Sequence, residues 1–142
     1  MEVKQLYHID NDTLISMYPK GMILEVKKEY TLTYRMEKLP FAILFLLSIS
    51  HPHIVTYEEI SDILESIDIE LKDVDKINKK VVRLRKELKS YGVKHLIVSV
   101  KGVGYAISNK WVEPQSLKAC FKNSQVSNYI KRLCGLVTRS ID

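Results

Sequence analysis

The sequence predicts an α+β chain: an antiparallel sheet first, then three helices, then a β-hairpin, with a helical extension behind. Three observations carry this reading. Short apolar runs with partial period-2 alternation, cut by turn residues, fill the chain before residue 35. Between residues 39 and 91 a long apolar run is followed by two stretches, 56–67 and 75–91, whose apolar residues recur at helical spacing. The stretch "VKHLIVSVKGVGYAIS" then returns to strand formers, interrupted by Gly102 and Gly104.

In the first third, "KQLYHI" and "TLISMY" are separated by "DND", whose side chains suit a turn. "PKG" (Pro19 to Gly21) turns the chain again, and "MILEVKK" and "YTLTY" follow, giving three or four short strands. The first helix, "LPFAILFLLSIS", is apolar nearly all round, so it belongs at the centre of the core. It stops before Pro52, which disfavours helix in the residue ahead of it. A second helix opens with Thr56 and, three residues on, Glu59, the pattern of a capping box, and carries Ile60, Ile63, Leu64 and Ile67 on one face. "SIDIELKDVD" lacks a helical stripe and reads as a loop.

The third helix runs over about 75–91. Ile77, Val81, Leu84, Leu88 and Tyr91 form its buried stripe, and Gly92 is a natural stop. Lys76, Lys79, Lys80, Arg83, Lys86 and, at the flank, Arg85 lie away from the stripe. The hairpin at about 97–107 bends through Lys101 and Gly102. Behind it, "SLKACFK" and "VSNYIKRLCGLVTR" read as two short helices, with Ile130, Leu133, Cys134 and Val137 on a small apolar face. The expected division is therefore a body of residues 1–110 and an extension of residues 111–142, which either packs on the body or forms a homodimer or partner contact.

The 142 residues suffice for one domain with its own core, and 46% hydrophobic with 27% charged residues is ordinary for a globular chain. No apolar run reaches the about 18–20 residues that span a bilayer, and the N-terminus lacks the layout of a signal peptide, so a cytoplasmic protein is expected. Cys120 and Cys134 make neither a disulfide framework nor a zinc set and read as reduced thiols. Charge is unevenly placed. Residues 72–110 carry eleven Lys and Arg against three Asp and Glu, a balance of +8 in a chain of net +5. Such concentration is the electrostatic footprint of a nucleic-acid site, although a solvated helix face gives the same count.

A helix anchored by one face and cationic on the other, followed at once by a ribbon with a lysine at its bend, has a physical use. The major groove of double-stranded DNA, about 12 Å wide, admits a helix and displays a distinct pattern for each base pair. The ribbon then reaches the neighbouring phosphates or the minor groove, and Gly102 allows a nucleic-acid backbone to come close.

These residues resemble a known family. "VVRLRKELKSYGVKHLIVSVKGVGYAIS" is similar to the end of the winged helix-turn-helix DNA-binding domain of OmpR/PhoB-type response-regulator output domains and their ToxR/CadC-like relatives. Arg83-Leu84-Arg85-Lys86 and Lys101-Gly102-Val103-Gly104-Tyr105 carry the likeness, and "YTLTYRMEKLPFAILFLLSISHPHIVTYEEISDIL" extends it upstream, so that it covers about residues 3–108. The resemblance implies a four-stranded N-terminal sheet, three helices and a wing, with the third helix reading the major groove. It places Lys76, Lys79, Lys80, Arg83 and Arg85 on the DNA-facing side, Ser99 and Lys101 on the wing, and Tyr105 in wing packing close to DNA. With Lys86 and Gly102 these are the candidate DNA-binding residues. Lys79, Lys80, Arg83 and Lys101 are expected on phosphates, and some of Lys76, Lys80, Arg83 and Arg85 on base edges.

Four departures from the family pattern stand out. Val82 takes a position that is often basic, Tyr57 replaces an arginine common at the start of the second helix, and Asn78 stands where aspartate is frequent. A receiver domain has no room before residue 3, so the chain reads as a stand-alone regulator, a fragment, or a protein controlled through its own tail.

Other chemistry finds little support. Gly102-Val103-Gly104 begins like a dinucleotide fingerprint, but Ile107 takes the place of the third glycine. His51-Pro52-His53 lacks a Cys or carboxylate at ligand spacing and reads as a polar turn. Glu58 and Glu59 are adjacent first-turn residues of a capped helix, where negative charge is favourable. No catalytic set is evident, so neither an enzyme, a cofactor nor a metal is expected. The reading is a sequence-specific DNA-binding transcription regulator. Its alternative is a winged-helix module that binds a protein, such as another regulator or RNA polymerase.

Overall fold

The computed structural model describes residues 3–114. Four strands, β1 (Lys4–His8), β2 (Leu14–Tyr18), β3 (Ile23–Lys27) and β4 (Thr31–Arg35), run as an antiparallel meander with Leu6 opposite Ile15, Met17 opposite Leu24, and Val26 opposite Leu32. Because successive side chains alternate faces, that register lines Leu6, Ile15, Met17, Leu24 and Val26 on one side, and all five are buried. Over β1 to β3 this is the dry face, Leu32 on β4 staying exposed, while the opposite face is mostly half-buried with Ser16 fully covered.

Against the dry face lies α1 (Lys38–Ser50), in which every residue from Phe41 to Ile49 is buried. Its apolar surface all round is explained by position, for it packs on α2 (Tyr57–Ser66), α3 (Val74–Ser90), β1 and the C-terminal ribbon together. The helix bounds agree with the sequence reading to within a residue or two. The expected capping box is present: Thr56 Oγ1 accepts from the Glu59 N–H at 3.1 Å, and Glu59 Oε1 accepts from the Thr56 N–H at 2.9 Å. At the start of α3, Asp73 accepts from the Asp75 N–H at 2.8 Å. That helix ends in a Schellman pattern, with the Val93 N–H bonded to Leu88 O (2.8 Å) and the Gly92 N–H to Lys89 O (3.0 Å).

Two short strands went unread in the sequence. β5 (Val55–Thr56) immediately precedes α2, and it pairs with the second strand of the expected hairpin, formed by β6 (Ile97–Val100) and β7 (Gly104–Ile107). The result is a second sheet of order β5-β7-β6. Past the expected boundary at residue 110, β8 (Trp111–Val112) pairs with β1 at the edge of the first sheet. Trp111 is buried edge-on against His8, and Glu113 forms an ion pair with Lys4. Strands of two residues carry no periodicity, which is why pattern reading misses them. The extension from residue 115 onward, with Cys120, Cys134 and the apolar face around Ile130, lies outside the described residues.

The two hairpin glycines serve different ends. Gly102 adopts φ +75 in the turn, and a Cβ there would meet nothing within 4 Å. Gly104 faces the backbone of β5, where a Cβ would sit 2.8 Å from Thr56 Cα. What comes close to the ribbon at Gly104 is thus the protein's own strand. Gly104→Ala is expected to cost about 1–3 kcal/mol through forced displacement of β5. Gly102→Ala is expected to cost about 1 kcal/mol from the left-handed backbone. Urea unfolding of the two variants checks the order.

Candidate nucleic-acid interface

The stripe of Ile77, Val81, Leu84 and Leu88 is buried as expected and fixes the rotation of α3. With the helix so oriented, Lys76, Lys79, Arg83 and Lys86 stand exposed on its outer side. Lys80 is half-buried instead. It lines, with Arg83 and Glu87, a cleft of about 360 Å³ against Glu37, Leu39 and Pro40 at the start of α1. Among the described residues, none of Lys76, Lys79, Lys80, Arg83 and Lys86 takes part in a salt bridge. Lys101 and Gly102 are exposed at the wing turn.

Arg85 turns toward the wing. Its Nη2 donates to Ser99 Oγ at 2.8 Å and to Ile97 O at 3.1 Å, Nε adds a contact to Ile97 O at 3.3 Å, and the guanidinium lies 5.5 Å from the centroid of the Tyr105 ring. Three expected site residues, Arg85, Ser99 and Tyr105, are therefore brought together as a clasp between α3 and the wing. The other cations are set apart from that clasp, on the open face.

Two of the family departures meet in the same clasp. Tyr57 Oη donates to Asn78 Oδ1 at 3.0 Å, and Tyr105 Oη donates to the same oxygen. The Tyr57 and Tyr105 rings pack edge to face with centroids 5.8 Å apart. Burial, with Tyr57 alongside, pushes the Tyr105 phenol above its ordinary range, and the Arg85 charge opposes that shift. Tyr105 thus stays a neutral donor, as a bond to an amide oxygen requires. Tyrosine and asparagine at positions 57 and 78 thus join α2 to α3 through a contact that carries no formal charge. In the sequence the two positions stand out only singly. Their partnership, across 21 residues, follows only from β5 setting α2 against the wing.

Backbone bonds complete the frame. The Tyr57 N–H bonds to Val103 O at 3.1 Å, so the first residue of α2 holds the wing turn. Lys28 Nζ donates to Gly92 O at 2.8 Å, tying the β3–β4 turn to the end of α3, and Tyr34 stacks on Tyr91 with centroids 3.8 Å apart. Helix and ribbon are thereby presented on one side as a fixed unit. Among the described residues no group of three or more His, Cys, Asp or Glu is placed to hold a metal ion. No described helix is long and apolar enough to cross a membrane.

Comparison with known proteins agrees with this geometry. Residues 31–107 match the family model described as "Transcriptional regulatory protein, C terminal". Among solved structures, the chain is similar to the DNA-binding domain of response regulator AdeR, determined in complex with an intercistronic region. The TM-score is 0.53 and the identity 18%, over 67% of this chain and 94% of that one. At that identity the likeness speaks for the fold. No curated protein sequence matches the chain significantly.

Because Tyr57 and Tyr105 share one acceptor, their hydroxyls should be energetically coupled. In a double-mutant cycle of Tyr57→Phe and Tyr105→Phe, we expect a coupling energy of at least about 0.5 kcal/mol in urea unfolding. Arg85→Ala should cost about 1–2 kcal/mol and speed amide exchange in β6 ahead of the N-terminal sheet.

Proposed function

The chain belongs to the OmpR/PhoB-type family of transcriptional regulatory C-terminal domains, and from that premise we propose that it regulates transcription by reading specific DNA sequences with α3 in the major groove and the β6–β7 wing against the adjoining minor groove or phosphates. The observation that supports this most is the outer face of α3, where Lys76, Lys79, Arg83 and Lys86 stand exposed and, among the described residues, form no salt bridge, beside a wing that carries Lys101 at its turn. The neighbouring response regulator AdeR was solved on DNA through a domain of the same fold, which agrees with the proposal.

Roles divide by position. Lys79, Arg83, Lys86 and Lys101 supply affinity, mostly on phosphates, with Lys80 contributing from the rim of its cleft. Lys76 and Arg83 have the reach for base edges, where a well-placed bidentate contact discriminates by about 1–3 kcal/mol. Arg85, Ser99 and Tyr105 act first by holding the wing at a fixed angle to α3, and Gly102 keeps the turn low enough for close approach. A pair of such modules, joined through the chain beyond residue 114, would read two spaced half-sites, and the face of the domain away from DNA would remain open to RNA polymerase.

The test is a fluorescence-anisotropy titration of the full chain with promoter-derived and random duplexes at several salt concentrations. Each phosphate neutralised contributes about −0.9 to the slope of log K against log salt. We expect a steep slope, a tighter affinity for particular promoters, and a slope shallower by about one for Lys101→Ala. Arg83→Ala should weaken binding more strongly than Lys101→Ala. Salt-insensitive binding, or wild-type binding by both variants, would overturn the docking and turn the search toward a protein partner.

A further inference from the structure

We infer that Val82 is a specificity-determining residue that reads the C5 methyl group of a thymine, so that the recognition sequence carries an A·T pair opposite the middle of α3. This rests on the DNA-reading assignment of the preceding subsection and adds to it what that site selects.

One exposed valine is ordinary on a protein surface, but the placement of this one is not. Val82 follows Val81, a member of the buried stripe, and so points about 100° round the helix from it; it is 47% exposed. Its neighbours three and four residues away are Asn78, Lys79, Arg85 and Lys86, none of them apolar, so it packs no intramolecular cluster on the helix surface. Asn78 and Arg85 are both turned to the wing by the hydrogen bonds described above. Val82 is therefore the outward side chain between the clasp and the cations Lys79 and Lys86.

Chemistry narrows what such a group can recognise. A valine has neither donor nor acceptor, so it contributes nothing on a phosphate and nothing on the polar edge of a guanine or an adenine. The thymine C5 methyl is the apolar feature of the major-groove edge, and apolar side chains are its natural partners. A β-branched residue in a helix holds essentially one rotamer, so Val82 presents its methyl groups with little entropy to lose on contact. The cations one turn to either side would hold the helix against the phosphates while the valine sits over the base.

The experiment uses duplexes selected by the full chain from a random-sequence pool. Each thymine in turn is replaced by deoxyuridine, which keeps the pairing edge and lacks the methyl. At one or two positions the wild-type chain should bind about four-fold more weakly, the worth of one methyl group taken out of water. For Val82→Ala the penalty at those positions should vanish while the salt slope stays unchanged. Val82→Arg should also lose it, and should steepen the slope by about one charge. Val82 is exposed, so both variants should unfold close to the wild-type midpoint, which circular dichroism verifies. If no thymine is sensitive, or if Val82→Ala keeps the full penalty, Val82 is not the reader although the domain still binds DNA. If no duplex is bound in a salt-dependent way, the DNA-reading assignment itself falls, and this inference with it.

Discussion

The interface depends on one close approach, that of the β5 backbone to Gly104. A side chain at position 104 would run into the backbone of Val55 and Thr56, so β5 would have to shift away from β7. Since Thr56 is also the N-cap of α2, whatever fixes β5 fixes the start of that helix, and the Tyr57 N–H then reaches Val103 O in the wing turn. A wing of two short strands alone would be marginal in water. Paired to β5 and backed by α1, it becomes a rigid part of the body, and its angle to α3 is set before any ligand arrives.

Around that contact the polar side chains do a second job. Arg85, Ser99, Tyr105, Asn78 and Tyr57 form a connected set between α3, α2 and the wing. The cation at Arg85 is spent on a carbonyl, a hydroxyl and an aromatic face, so the residue works chiefly as a clamp. Charge of the open face is thereby left to Lys76, Lys79, Arg83, Lys86 and Lys101. The Tyr57–Asn78 contact carries no charge, so it pays no desolvation penalty for an ion pair in a half-buried junction.

The larger elements were legible in the residues because each announces itself by period or punctuation. Ile77, Val81, Leu84 and Leu88 repeat at helical spacing, Thr56 and Glu59 stand at capping distance, and the glycines break the ribbon where it turns. The exposure of Lys76, Lys79, Arg83 and Lys86 follows from the same helical spacing, and that of Lys101 from its place at the hairpin turn. What could not be read was whatever depends on contacts distant in the chain. β5 and β8 are strands only because β7 and β1 lie beside them. Lys80 reads as outward on the wheel, yet the N-terminal turn of α1 half covers it. Arg85, at the flank of the stripe, faces the wing, and no local pattern says that Ile97 O waits there.

Helix α3 is also built against its own interest, which is informative. Lys76 and Lys79, Lys76 and Lys80, Lys79 and Arg83, Lys80 and Arg83, Arg83 and Lys86, and Lys86 and Lys89 stand three or four residues apart, each such like-charge pair opposing the helix by about 0.2–0.5 kcal/mol. Asp75 and Glu87 are the acidic residues within the helix that offset them. The stripe beneath, with the Asp73 cap and the Schellman end, holds the helix in spite of that repulsion. A surface evolved for stability alone would alternate its charges, and a sequence that breaks a local rule without an intramolecular gain usually does so at a functional site. Under the proposed reading, DNA would relieve the repulsion as it bound, and part of the affinity would come from unfavourable charge already present in the free protein. That account also gives Val82 its meaning. Within a row of cations that attract any phosphate backbone alike, one uncharged and stiff side chain is where a preference among bases can enter.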